Sequence, residues 1–500
     1  MTLSQHTISQ ITTTAVQVPD EAMFRLPEKV LQFGTGALLR GLPGYFIHQA
    51  NSSGIFNGRI VVVKSTSGDT EAFHNQDCLY TVCVRGMEDG KPVSENTINA
   101  SISRVLKASD EWPLVLACAH NPEMKIIVSN TTEVGIELVQ DDIRLHPPRS
   151  FPGKLLSFLY ERFKAFGGSA QSGMVIIPTE LITDNGHKLE AIVFELAHLN
   201  SLEDAFIEWL EGCNTFCNSL VDRLVPGQPD AEKQAMLEEE VGYKDKLLIM
   251  AEAYRLWAIE GDENVSHVLG FAEADKGIVI TTDIEQYREL KLRMLNATHS
   301  FTCGLSLLAG CRTVLQSMQD ERLASYISAL MLEEIAPSIP MDIEREIMEA
   351  YAQRVLARFQ NPDLQHKWLS IALNYSSKIK TRCVPLIQKH IEQYGTIPEL
   401  MTLGFAAYLC FTRPVVKKGT QYYGELNGEL YPLSDTEAAG FYNRWAGLSR
   451  PAFVSQVLSD DLLWGTDLSR LPGFADAVLD KLNLLLEGNV KEAFPMTRRA

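Results

Sequence analysis

A lysine, an asparagine and a histidine stand close together in Lys291-Leu-Arg-Met-Leu-Asn296-Ala-Thr-His299. On an α-helix turning about 100° per residue they fall at roughly 0°, 140° and 80°, all on one side. Asn296 and His299, three apart, are neighbours on such a surface. Long side chains lean toward the helix N-terminus, which carries His299 back toward Lys291. An ammonium that gives or takes a proton then stands beside two neutral hydrogen-bonding groups, in a run otherwise mostly apolar or small. Those are the groups that move a proton on and off a carbinol oxygen. By spacing alone, a solvated lysine, a cap asparagine and a core histidine are the commoner outcome, so the rest of the chain must decide.

A second cluster, Asn374-Tyr-Ser-Ser-Lys378-Ile-Lys380-Thr-Arg382, sets three cations at every second position. In an extended segment all three face one way. Such a cluster suits an anionic substrate group, and the planar fork of Arg382 suits a carboxylate. The bland alternative is a solvated charge run. His366, nearby in sequence, is by default a surface or structural histidine.

These residues need elements to hold them. Lys29-Val-Leu-Gln-Phe33 is a short apolar strand running into Gly34-Thr35-Gly36-Ala-Leu-Leu39-Arg40-Gly41 and then a helix. That arrangement lays a pyrophosphate on a helix N-terminus, so Phe33, Gly34, Thr35, Gly36 and Arg40 are candidate cofactor-binding residues. Leu39 replaces the usual third glycine, which implies a wider helix–strand spacing. Gly58-Arg-Ile60-Val-Val-Val63 is a second parallel strand about 20 to 30 residues on. It ends in Lys64-Ser-Thr-Ser-Gly-Asp69 with no immediate acid for a ribose. Either Asp69 curls back toward an NAD ribose or Lys64 meets a 2′-phosphate. Further strands are predicted at Leu79–Val84, Lys125–Val128, Met174–Ile177 and Gly277–Ile280. Asn130, Thr131 and Thr132 follow the Lys125–Val128 strand at its C-terminal end, where ligands bind in open α/β sheets. Lys233 to Ile259 reads as helical. Beyond residue 284 helical periodicity dominates: Ile343, Ile347, Tyr351, Val355 and Phe359 recur every four residues before Asn361-Pro362. Asn427-Gly428 marks one hairpin. The expected fold is α/β, with a Rossmann-like parallel-sheet domain over 1–284 and a mostly α-helical substrate and catalytic domain over 285–500. The Lys291 helix falls near their junction, where a cleft is expected.

Composition sets the outer limits. With 500 residues, 45% hydrophobic and 22% charged, the chain is globular and too long for a single core. Its formal charge of −18 repels phosphate backbones, so nucleic acid is not expected as a partner. No run of about 18 apolar residues suits a bilayer, and the N-terminus lacks signal-peptide features. Nine scattered cysteines read as free thiols of a cytoplasmic protein. Cys213 and Cys217 share a helical face, but lack further ligands at metal spacing, so no metal is expected. Oligomeric state is not legible.

Taken together, the Gly-x-Gly-x-x-x-Arg turn, the Lys-x4-Asn-x2-His helix and Asn218-Ser-Leu-Val-Asp222-Arg223-Leu-Val-Pro226 resemble the motifs of the polyol-specific long-chain dehydrogenase family, to which mannitol 2-dehydrogenase belongs. The resemblance covers nearly the whole chain. Ala119-His-Asn-Pro-Glu-Met124, Ile176-Ile-Pro-Thr-Glu-Leu-Ile182, Arg358-Phe-Gln-Asn-Pro362 and Ser370-Ile-Ala-Leu-Asn374 are similar to its tagaturonate reductase branch. Where mannitol-acting members carry Asp-Asn, this chain has Glu180-Leu181; Asn185 is retained on that side of the pocket as a substrate contact. The resemblance implies metal-independent hydride transfer between NAD and the carbonyl of a hexuronate, tagaturonate giving altronate. Lys291 would be the general acid for reduction and the base in reverse, with Asn296 and His299 holding the carbonyl oxygen. Lys378 and Arg382 would meet the substrate carboxylate. Fructuronate reductase and mannitol 2-dehydrogenase are the alternatives within the family. A dinucleotide-sensing protein is the alternative outside enzymes, against which the intact Lys/Asn/His set argues.

Overall fold

The computed structural model describes residues 1–88, 90–131, 135–363, 366–488 and 490–494. The chain divides into two compact units, Met1–Ile284 and Glu285–Ala500.

In the first unit, β-branched runs form six parallel strands: β1 Glu28–Phe33, β2 Arg59–Lys64, β3 Ile102–Lys107, β4 Ile126–Ser129, β5 Val175–Pro178 and β6 Thr215–Phe216. Their spatial order is β3-β2-β1-β4-β5-β6, every pair parallel. This is the Rossmann order of two mononucleotide-binding halves. Alternate residues serve opposite faces. Val30, Ile60 and Val62 enter one apolar cluster; Leu31, Phe33, Val61 and Val63 enter the other. Burial of both faces explains why the strands read as near-continuous apolar runs. The order reverses between β1 and β4, which end in register with Phe33 opposite Ser129. Ligands bind in the crevice beyond such a reversal.

Several sequence expectations need correction here. Tyr80–Glu88 is a strand, but it joins a separate small sheet between Lys91–Asn99 and Ile249–Glu252. The third Rossmann strand is Ile102–Lys107, whose serine, arginine and lysine break the apolar run that marks its neighbours. The helical reading of 233–259 holds only for Ala231–Val241, followed by strands Ile249–Glu252 and Leu256–Glu260. Gly242, at φ +80°, ends that helix in a conformation that favours glycine. Cys213 closes the helix Asp204–Cys213, whereas Cys217 lies beyond β6, so the two share no helical face.

The second unit is mostly helical. Asn427 and Gly428, both at positive φ, turn a hairpin between Gln421–Leu426 and Glu429–Leu433, as their sequence demands. The helix Arg345–Phe359 stops just before Asn361-Pro362. At the centre, Thr298–Leu308 packs against the largely buried helix Glu399–Phe411. Two glycines set that approach. A Cβ on Gly304 would sit 2.7 Å from the Ala407 carbonyl oxygen, and one on Gly404 would sit 2.7 Å from that of Phe301. The Glu334 carboxylate accepts from the N–H groups of Leu400 and Met401, satisfying donors that the start of this helix cannot pair internally. Gly404→Ala should therefore cost about 1–3 kcal/mol through overpacking. Denaturant unfolding measures this, and unchanged stability would mean that the crossing is not close-packed.

Candidate active site

Lys291, Asn296 and His299 do not lie on one regular α-helix. Leu290–Ala297 is wound as a π-helix, and an α-helix takes over at Thr298. In π winding the N–H of residue i+5 bonds the carbonyl of residue i, so residues five apart lie one turn above another. Lys291 and Asn296 have that separation. The 140° offset expected from α geometry is thus reduced by the local winding. The Ser300 hydroxyl donates to the Asn296 carbonyl at 2.9 Å where the two windings meet.

The π turn is braced from outside. Arg293, on the same segment, donates from Nε to Glu289 at 3.0 Å and from Nη1 to the carbonyls of Thr381 and Arg382, each at 2.9 Å. The receiving segment, Ile379–Cys383, is itself a π-helix. Tyr375 adds a second tie, its hydroxyl donating to the Ser300 carbonyl and accepting from the Gly304 N–H.

Lys291 and Asn296 are half-buried, and His299 is only 7% exposed. The His299 ring stacks on Phe359 at 4.4 Å between centroids and meets His366 and Trp368 edge-on at 5.1 and 5.8 Å. Its Nε2 is buried without a hydrogen-bond partner among the described residues. Burial holds the His299 pKa well below its ordinary value, and the charges of His366, Arg358, Arg382 and Lys378 act in the same direction. A neutral imidazole with an unsatisfied nitrogen is suited to a ligand oxygen.

The second cationic cluster is helical, not extended: Tyr375–Lys378 is α and Ile379–Cys383 is π. Alternate residues on a helix diverge, and the three cations do. Lys378 and Arg382, four apart, both act on His299. Lys380 instead donates to the Leu462 carbonyl at 2.9 Å. Lys378 also donates to the Ile371 carbonyl at 2.8 Å. Sequence reasoning missed Arg358, Phe359 and Trp368 as neighbours of His299. No local spacing links these residues to His299. The one available signal was that Arg358 and Phe359 open the Arg358–Pro362 stretch.

In the first unit, Gly34 lies at φ +122°, and a Cβ there would sit 2.8 Å from the Asn130 carbonyl oxygen and 2.9 Å from Leu39 Cδ1. Leu39 thus fills the space beneath the turn, which only glycine leaves open. Gly36 is exposed, with nothing within 4 Å of its missing Cβ, and precedes the helix Ala37–Gly41. Thr35 stands half-buried between them. Asn130 donates from its backbone to the Phe33 carbonyl and from its side chain to Thr179. Thr131 donates from both its N–H and its hydroxyl to Glu180, whose pKa burial raises. Thr132 lies outside the described residues.

Three expectations are corrected. The Phe33 ring is buried against Phe151, so only its backbone borders the turn. Arg40 donates to the Leu247 carbonyl and lies over the Phe73 and Tyr80 rings, supporting the turn from below. Asn185 is 1% exposed, donates to the carbonyls of Pro178, Glu180 and Ser219, and accepts from the N–H groups of Gly186 and Ser219. It joins β5 to the next segment and has no capacity left for a substrate. At the end of β2, Lys64 donates to Thr66 at 3.2 Å and Asp69 accepts from the Glu71 N–H at 3.2 Å. Among the described residues no group of three or more His, Cys, Asp or Glu could hold a metal ion, and no helix is long and apolar enough to cross a membrane.

Two family models match this chain, the mannitol dehydrogenase Rossmann domain over residues 28–269 and the mannitol dehydrogenase C-terminal domain over 283–486. The chain belongs to the mannitol dehydrogenase family. It is accordingly an oxidoreductase acting on a CH–OH group. Altronate oxidoreductase of Halalkalibacterium halodurans is 37% identical over 480 residues, covering 94% of this chain and 93% of that protein. The enzyme of the same name from Bacillus subtilis is 37% identical over 472 residues, 93% and 94% of the two chains. Two solved structures superpose well. Pseudomonas fluorescens mannitol 2-dehydrogenase, in a ternary complex with NAD and D-mannitol, gives a TM-score of 0.73 at 21% identity over 99% of both chains. A D-sorbitol dehydrogenase in substrate-free form gives 0.80 at 23% identity over 99% of this chain and 100% of the other. These structural likenesses show the fold.

The buried imidazole has a consequence for stability. An imidazole whose pKa is lower folded than unfolded binds its proton more readily in the unfolded chain. Stability in this family member should therefore fall as pH drops through about 6.5, the unfolded value, and keep falling below it. Denaturant titrations from pH 8 to 5 should show a shallower fall for His299→Gln. An identical slope would mean that His299 is not held neutral.

Proposed function

We propose that this enzyme interconverts D-tagaturonate and D-altronate, with NAD as the hydride carrier. The observation that carries the reading is the character of the His299 surroundings. The charged groups acting most strongly on this neutral imidazole include Arg358, Arg382 and Lys378, all cations. In a chain of net charge −18, a cationic wall beside a carbonyl-binding group suits a substrate that carries a carboxylate. The names of the relatives at 35–37% identity support the same substrate.

The cradle at Gly34 fits a dinucleotide, because a side chain there would close the approach beside Asn130. Gly34, Thr35 and Gly36 would hold the phosphates by their backbone, and Asn130 with Thr131 would border the reversal of strand order. NAD supplies a hydride acceptor or donor when bound. The half-buried Lys291 gives a proton to the carbonyl oxygen during reduction and takes it back in oxidation. Asn296 and the neutral His299 hold that oxygen and stabilise the charge that develops on it. Lys378 and Arg382 orient the substrate through its carboxylate. Lys291→Ala should lower turnover by about 10²-fold or more while NADH binding survives, since general acid–base catalysis is worth that much. Near-normal reduction of tagaturonate by this variant would overturn the role.

Cofactor choice is tested by comparing NADH with NADPH at equal concentration. NAD preference predicts faster turnover with NADH. An advantage for NADPH would instead assign Lys64 to a 2′-phosphate.

A further inference from the structure

Four successive residues of β1 are buried, Val30, Leu31, Gln32 and Phe33, and Gln32 is the one polar member. Its side chain is 1% exposed, and its partners in register are Val62 on β2 and Val128 on β4, both buried. An amide placed among valines gives up its hydration, so its contacts must account for it. It makes one. The Nε2 donates to the Gly34 carbonyl at 2.9 Å, while the Oε1 is buried with no partner among the described residues. An apolar side chain of similar size would fill the same space with no acceptor left unsatisfied. The stability of the sheet therefore does not explain the glutamine.

We infer that Gln32 positions the glycine turn for the phosphates of the dinucleotide. This rests on the cofactor reading above and adds a residue that the turn motif itself does not contain. Gly34, at φ +122°, donates its N–H to the Val63 carbonyl at 3.0 Å and gives its carbonyl to Gln32, so both of its polar groups are tied to strand residues. In a trans peptide the C=O and the following N–H point in opposite directions. Drawing the Gly34 oxygen onto the buried amide thus aims the Thr35 N–H the other way, out of the core. That N–H has no partner among the described residues. A phosphate oxygen suits such a donor, whereas the Gly34 oxygen, turned outward by a flip of the same peptide, would repel it. In the usual dinucleotide fingerprint a third glycine lets the helix pack closely on the strand. Here Leu39 stands in that place, its Cδ1 2.9 Å from the position of a Gly34 Cβ. The Gln32 amide supplies from the strand side the brace that close helix packing supplies elsewhere.

The test measures the binding of NADH and of ADP-ribose by calorimetry to the wild-type enzyme, Gln32→Leu and Gln32→Met. ADP-ribose carries the pyrophosphate without the nicotinamide. Thermal unfolding of each protein without ligand runs alongside. The expected result is a Kd about tenfold higher for both ligands in both variants, because one charge-assisted hydrogen bond is misaimed. The unfolding temperature without ligand should not fall, since each substitution removes the unpaired Oε1. A role in the fold alone gives the opposite pattern, a lower unfolding temperature with unchanged Kd, and would overturn the inference. So would a loss confined to NADH, which would place the effect at the nicotinamide, or failure of both variants to fold. These outcomes leave the cofactor reading intact. No binding of either ligand to the wild-type enzyme would overturn the cofactor reading, and this inference with it.

Discussion

The π winding of Leu290–Ala297 is the constraint on which the active-site geometry depends. Left alone, a helix relaxes to α winding, which carries Lys291 and Asn296 apart around the axis. Arg293 holds the wider turn by reaching the carbonyls of Thr381 and Arg382, and Glu289 holds Arg293. The same contacts hold the segment that presents Lys378 and Arg382. One buried arginine thereby couples the placement of Lys291, the proposed proton-transfer group, to that of Lys378 and Arg382. Because Arg293 is only 7% exposed, removing it would leave Glu289 and two carbonyls short of partners.

Packing then fixes what winding aligns. The close approach of Thr298–Leu308 to Glu399–Phe411, set by Gly304 and Gly404, sinks the catalytic helix into the largest apolar cluster of the second unit. His299 is consequently buried, with Phe359 on its face and His366 at its edge. Burial keeps it neutral, which is the protonation state that the proposed role at a carbonyl oxygen requires. Packing, protonation state and catalytic suitability are successive consequences of one helix crossing.

Much of this was legible in the chain. The glycine turn after β1 and the hairpin at Asn427-Gly428 rest on local rules of backbone freedom, so the sequence reading found them. The Lys291, Asn296 and His299 set was read on an α-helix where the chain is wound as a π-helix, because π turns depend on tertiary braces such as Arg293. Ile102–Lys107 was missed because its polar residues hide an edge strand. Asn185 was misread because its amide is taken up by five backbone bonds, two of them to the distant Ser219. Arg358 and His366 reach His299 only through tertiary packing, which spacing cannot show.

The central claim is that one turn of the second unit holds the reacting carbinol while the surrounding cations hold the acid. A crystal structure of the enzyme with NADH and D-altronate tests it most directly. The account predicts one hydroxyl oxygen of altronate within hydrogen-bonding distance of Lys291, Asn296 and His299, and its carboxylate among Arg358, Lys378 and Arg382. Altronate bound with its carboxylate toward solvent, or with no hydroxyl on Lys291, would contradict it.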